Sequence, residues 1–160
     1  MYTGIDVGLK TTCLVSLDNA GKLVSVSEFG SEVTKKLKEA IPSHPSYRYG
    51  LYRSYFKSYL DEYTIGTVIM EQPMGSFGGN SIKLAELYGI YVVTLYDYIP
   101  LEKIFLVKPT EIKKAFTGSG ASNKDHMILQ CKLRGFTPSS EHMADAIGAA
   151  FMGVEGKLKH

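Results

Sequence analysis

The 160-residue chain predicts an α/β layered domain: a mixed five-stranded sheet, an antiparallel meander plus parallel strands, flanked by helices. Three observations predict it. The first thirty or so residues carry three short apolar runs divided by turn residues. The middle of the chain has the order strand, helix, strand, which is that of a right-handed parallel crossover. The remaining third shows helical periodicity in three stretches with glycines at two of the breaks.

The first strands fall at about 2–8, 11–18 and 22–28, with Asp18-Asn19-Ala20-Gly21 as the turn of a hairpin between the second and third. Residues 31–40 have helical character. From 50 to 63, Leu51, Tyr52, Tyr55, Phe56, Tyr59, Leu60 and Tyr63 recur at helical spacing and form a core-facing stripe, leaving Arg48, Arg53 and Lys57 for phosphate contacts. Strands near 66–71 and 103–107 bracket the most apolar helix, 81–98. Helices follow near 109–117, 123–134 and 140–154, with Gly118 and Gly135 as stops. The 81–98 helix is apolar around its axis, so it needs cover on both sides: its own sheet on one, and either a two-fold partner or a further layer of the same chain on the other.

A length of 160 residues suits one domain, 1–160, with a sizeable core. The net charge is only +2, from 18 Lys and Arg against 16 Asp and Glu, so a nucleic-acid surface must come from local clustering. Cys13 and Cys131 fit neither a CxxC metal site nor a secreted disulfide framework, and read as buried, reduced thiols. No apolar run reaches the roughly 18 residues of a membrane span, and the start lacks a signal-peptide pattern. A soluble cytoplasmic protein with no membrane partner is expected.

Four potential metal ligands stand far apart: Asp6, Glu71, His142 and Asp145. Asp6 interrupts an apolar strand and Glu71 ends another, and a carboxylate beside buried strands is costly unless partnered. His142 and Asp145 lie three apart, on one face of a helix's first turns. Three carboxylates and one imidazole suit Mg²⁺ or Mn²⁺ better than Zn²⁺. Two such ions, with Asp6 as the bridging ligand, would serve phosphodiester hydrolysis, and His142 would ligate one ion or orient the attacking water. Read singly, Asp6 is a backbone-satisfied turn residue and Glu71 a solvated strand end. Their joint occurrence with His-x-x-Asp on a late helix favours a metal-dependent nuclease.

Gly4-Ile5-Asp6-Val7-Gly8, Ile69-Met70-Glu71-Gln72 and His142-Met143-Ala144-Asp145-Ala146 together resemble the RuvC family of Holliday junction resolvases, within the ribonuclease H-like superfamily. The pieces stand in the family's order and span nearly the whole chain; the compact form is similar to bacterial members and phage-borne relatives. The resemblance implies a ribonuclease H-like fold and a homodimeric, Mg²⁺-dependent endonuclease. It would nick opposing strands of four-way DNA symmetrically, leaving 5′-phosphate and 3′-hydroxyl ends, in a bacterial or phage-infected cytoplasm. Lys113 and Lys124 match two lysines the family uses at the junction. Lys114 is a further candidate phosphate contact, although Lys114 and Lys132 also fit a solvated helix face. The small-residue loop 117–124 reads as a mobile connector bringing Lys124 to DNA. Where the family often presents a base-stacking aromatic three residues beyond the glutamate, this chain has Met74, with Phe77 six beyond.

Other readings remain open. A ribonuclease H-like nuclease acting on forks, flaps, Y-structures or RNA precursors would share the acids. A non-catalytic branched-DNA-binding protein would keep the basic surface, but clustered acids repel phosphates unless a cation intervenes. A sugar-kinase or actin-like domain, which would use Gly4-Ile5-Asp6-Val7-Gly8 as a phosphate hairpin, needs two lobes that 160 residues do not supply.

Overall fold

The computed structural model describes residues 1–30, 45–74 and 79–158; the helix expected at 31–40, together with Phe77, lies outside them. Five strands, β1 (Tyr2–Asp6), β2 (Thr12–Leu17), β3 (Leu23–Phe29), β4 (Thr67–Glu71) and β5 (Ile104–Val107), form one sheet in the order β3-β2-β1-β4-β5. β1, β2 and β3 are antiparallel neighbours, whereas β4 runs parallel to both β1 and β5. This is the expected meander joined to parallel strands. The Asp18 carboxylate closes the β2–β3 turn by accepting from the Ala20 and Lys22 amides at 2.9 and 2.8 Å.

Strand alternation divides the core into two layers. Ile5, Leu14, Val68 and Met70 face α1 (Pro45–Glu62) and α2 (Gly79–Leu95), meeting Tyr52, Phe56, Leu87 and Tyr91. Cys13, Val15, Leu17 and Ile69 face the opposite way, toward α3 (Pro109–Thr117), α4 (Lys124–Leu133) and α5 (Glu141–Val154). Tyr52, Phe56 and Tyr59 are buried, as the aromatic stripe requires, and each such side chain contributes about 1.5–3 kcal/mol by leaving water. Tyr59 also supplies a polar partner: its hydroxyl lies 2.9 Å from Ser16 Oγ and 2.8 Å from Ser25 Oγ, so these strand hydroxyls are satisfied within the core.

Arg53 and Lys57 have partners within the fold: Arg53 Nε donates to Thr94 Oγ1 at 3.2 Å, and Lys57 Nζ donates to Tyr98 Oη at 2.6 Å. They tie α1 to α2 and to the link that follows it. One expectation changes here. The apolar helix itself is shorter than its hydropathy predicts, because residues 96–98 turn away as a non-helical link before a 3₁₀ turn at Leu101–Lys103. Its Leu87, Tyr91 and Leu95 are buried, but its Ile82 and Val93 are 59% and 64% exposed, and Tyr96 just beyond it is 50% exposed. No further layer of the described residues covers that side.

Close approach of α5 to β1 depends on Gly4. A Cβ there would stand 1.9 Å from the Ala146 carbonyl oxygen and 2.6 Å from the Ala150 nitrogen, so only a bare backbone lets the helix lie against the strand. Small residues on the facing surface of α5, Ala146 and Ala150, complete the fit, and both are buried. At the other end of the layer Gly118 ends α3 in the left-handed region with φ 87°, as predicted. Cys13 and Cys131 are buried free thiols, and burial pushes both up to about 12. No helix among the described residues is long and apolar enough to cross a membrane.

Candidate active site

Asp6 is the last residue of β1 and Glu71 the last of β4; because Ile5 pairs with Met70 in parallel register, the two acids leave the sheet side by side. The Gly4 contact brings the first turns of α5 over the same edge. There His142 Nδ1 donates to Asp6 Oδ2 at 2.7 Å, with the Asp6 side chain only 15% exposed. Asp145, one turn further, shares that face of the helix. The four residues singled out in the sequence therefore meet at one end of the sheet, although 136 residues separate Asp6 from His142.

Electrostatics report how closely the acids crowd one another. Burial pushes the Glu71 carboxyl up to about 7, with the Asp6 and Asp145 charges adding to the rise and Lys113 opposing it. Asp145 is pushed up to about 6, again chiefly by burial and then by Asp6, while Lys113 and His142 pull it down. His142 is raised above its ordinary value, first by its bond to Asp6, against some desolvation, and then by the charges of Asp6, Glu141 and Glu28. Acids that repel one another at a partly buried sheet edge pay a like-charge cost that a cation placed among them would relieve.

The donor set, three carboxylates and an imidazole, fits a hard divalent ion. Among the described residues, however, no three of these side chains converge closely enough to cage an ion. The nearest approach is the Asp6–His142 bond itself, so Asp6 serves as a hydrogen-bond acceptor in this arrangement.

The lysines divide. Lys113, on α3, is the cation whose charge acts on both Glu71 and Asp145. Lys124 opens α4 and pairs with Glu141 at the start of α5, close enough to Asp145 and Asp6 to feel their charges. Lys114 is exposed and lines a cleft with Leu106, Met152 and Lys157 at the far end of α5, away from the acids. The segment between α3 and α4, expected to be a connector, makes hydrogen bonds of its own. Thr117 Oγ1 donates to the Lys113 carbonyl at 2.8 Å and lies 2.5 Å from Ser122 Oγ, and Asn123 caps α4 by accepting from the His126 amide at 3.0 Å. Met74 is 64% exposed on the coil leaving β4.

Sequence reasoning missed Glu28. It sits on β3 opposite Cys13, which in turn sits opposite Asp6, so the three form one row across the sheet. The hairpin turn at Asp18–Gly21 sets the pairing only as far as Leu17; an irregularity between Ser16 and Leu17 then shifts the register by one and brings Glu28 opposite Cys13, and no local sequence signal marks it.

The mixed sheet in this order, with helices on both faces and acids at the ends of β1 and β4, defines the ribonuclease H-like fold. It is similar to solved structures of RuvC and of a Holliday junction resolvase. RuvC from Thermus thermophilus matches at 20% identity and a TM-score of 0.72, over 97% of this chain and 96% of that one. T. thermophilus RuvC in complex with Holliday junction substrate matches at 21% identity and a TM-score of 0.74, over 99% and 97%. The yeast mitochondrial Holliday junction resolvase Ydc2 matches at 17% identity and a TM-score of 0.55, over 99% of this chain and 82% of that one. No family model and no curated protein matches. The chain has the fold of RuvC.

Proposed function

We propose that this chain, as a single nuclease domain spanning residues 1–160, is a structure-specific DNA endonuclease that resolves four-way junctions, working as a homodimer in the cytoplasm with a divalent metal ion, Mg²⁺ or Mn²⁺. The observation that carries the reading is the meeting of Asp6, Glu71, His142 and Asp145 at one sheet edge, with acids whose charges act on each other. Likeness in fold to RuvC, including its complex with Holliday junction substrate, supports the choice of DNA.

Asp6, Glu71 and Asp145 would hold the metal, with His142 completing the set. When bound, the ions supply an activated water and charge stabilisation at the phosphate. The chain's own groups do the rest. His142 holds a proton at Nδ1 facing Asp6, which fixes the ring's orientation beside the place of attack. Lys113 offsets the acids' negative charge so that a phosphate can approach, and Lys124 gives up Glu141 to contact the backbone. Hydrolysis adds the water oxygen to phosphorus, breaks the bond to the 3′-oxygen, and leaves a 5′-phosphate and a 3′-hydroxyl. Met74 and Phe77 lie on the segment following Glu71 and are proposed to touch bases near the crossover; Lys114 contributes at most a peripheral phosphate contact.

Exposed Ile82 and Val93 lie on one stripe of α2, with exposed Tyr96 just past its end, which supports dimerisation through that helix. Val93→Glu is expected to convert a dimer to monomers in sedimentation velocity, and to turn paired nicks into single ones. An unchanged sedimentation coefficient would place the two-fold elsewhere.

Cleavage of end-labelled four-way, Y-shaped, linear duplex and RNA–DNA hybrid substrates tests the function, with Mg²⁺, with Mn²⁺ and with chelator. Paired, metal-dependent nicks at symmetric positions of the four-way junction are the expected result. Cleavage chiefly of forks or of RNA would reassign the substrate, and tight junction binding without cleavage in any metal would sink the nuclease reading.

A further inference from the structure

Glu28 lies outside the metal-ligand set, yet its carboxylate reaches the helix that carries half of that set. Its Oε2 accepts from Ser140 Oγ at 3.2 Å, a contact between residues 112 positions apart. Ser140 is the N-cap of α5, and its hydroxyl accepts from the Met143 amide at 3.0 Å. An amide can only donate, so the hydroxyl's single hydrogen is left for Glu28. The contact therefore fixes both the rotamer of the cap and the place of α5's first turn relative to β3. Glu28 is exposed on the edge strand, on the sheet face that α5 covers.

The turn so anchored holds Glu141, His142 and Met143. His142 has to present Nδ1 to Asp6 at hydrogen-bonding distance, and Glu141 holds Lys124. On the strand side the register gives the same coupling: Glu28 pairs with Cys13, and Cys13 with Asp6. Glu28 is thus tied to both partners of the Asp6–His142 bond, through Ser140 on one side and through the β3–β2–β1 ladder on the other. A negative charge at a helix N-terminus is also favoured by the helix dipole, so the arrangement is stable as built.

We propose that Glu28 is a positioning residue of this nuclease: by accepting from the Ser140 cap it clamps the first turn of α5 to the sheet and holds His142 in register with Asp6. The clamp rests on the site reading above only for its catalytic consequence, so two readouts separate them. In metal-free protein, amide exchange at Met143 should quicken about tenfold in Glu28→Ala and return to the parent rate in Glu28→Gln, whose side-chain oxygen still accepts. With four-way junction at saturation, the single-turnover cleavage rate should fall about tenfold in Glu28→Ala while junction affinity stays within about twofold, and Glu28→Gln should recover the rate. Unchanged Met143 exchange in Glu28→Ala would overturn the clamp. Unchanged cleavage, a loss in affinity alone, or a Glu28→Gln variant as slow as Glu28→Ala would overturn the positioning role. A parent protein that cuts no junction, with Met143 exchange still responding to Glu28→Ala, would sink the resolvase reading and leave the clamp standing.

Discussion

Asp6→Asn and Glu71→Gln are each expected to lower four-way junction cleavage by on the order of 10³-fold, while junction binding is retained or tightened. Each substitution keeps the size of the side chain and removes one negative charge. Asp6 stands between the other two acids electrostatically, since its charge acts on both Glu71 and Asp145. Losing it weakens a ligand of the proposed metal and leaves only a neutral amide oxygen to accept from His142 Nδ1, which Asp6 holds at 2.7 Å. Binding moves in the opposite sense because the same acids repel the DNA backbone when no cation offsets them, so neutralising one lessens that repulsion. Single-turnover cleavage and gel-shift titration, run side by side in Mg²⁺, separate the effects. Retained nicking in both purified variants would remove the acids from the chemistry.

A second large effect is expected on stability. Glu71 is raised from 4.5 to about 7 and Asp145 from 3.8 to about 6. A carboxyl with a folded pKa above its unfolded value binds its proton more tightly when folded, so stability is greatest below the unfolded value and is lost as pH rises toward the folded one. His142 acts in the same direction: its raised pKa gives a stabilisation that is full below its ordinary value of 6.5 and is lost as pH climbs through the folded value. Metal-free protein should therefore lose stability between about pH 4 and pH 7 through the two carboxyls, with His142 adding to the loss at the upper end and Glu71 alone accounting for on the order of 3 kcal/mol. Glu71→Gln should remove roughly half of the carboxylate part of that slope and leave the Asp145 part in place. A divalent ion that binds only the folded protein should restore stability most at the upper end, where the acids are ionised, by about 2.7 kcal/mol at a hundredfold excess over its Kd. Urea unfolding across this range with and without Mg²⁺ measures both effects, and a profile flat in pH and indifferent to the ion would refute the crowded-acid site.

Much of the architecture was legible because its determinants are local. The β2–β3 hairpin follows from Asp18 and Gly21, and the two core layers follow from apolar alternation along the strands. Helix stops at Gly118 and Gly135 follow from the left-handed backbone that glycine adopts freely, and both have positive φ. The acids stood out for a similar reason: charge at the end of an apolar run needs a partner wherever the chain goes. Resemblance to RuvC was carried by three short pieces, and it is met in the fold across 97–99% of the chain.

What only the tertiary structure decided concerns side chains whose partners lie far away in sequence. No local pattern distinguishes Lys113, turned toward Glu71 and Asp145, from its neighbour Lys114, turned toward the cleft at the other end of α5. Arg53 meets Thr94 of α2 and Lys57 meets Tyr98 just beyond it because α1 and α2 pack together, and Thr117 meets Ser122 across the α3–α4 loop. Glu28 gained its place from strand register and from the docking of α5, which itself depends on the missing Cβ of Gly4. The sequence by itself determined the elements, the two layers and the identity of the acids, because backbone propensity and burial act over a few residues. Which groups meet at the edge was decided by packing, because that depends on distances between elements, and no single element encodes them.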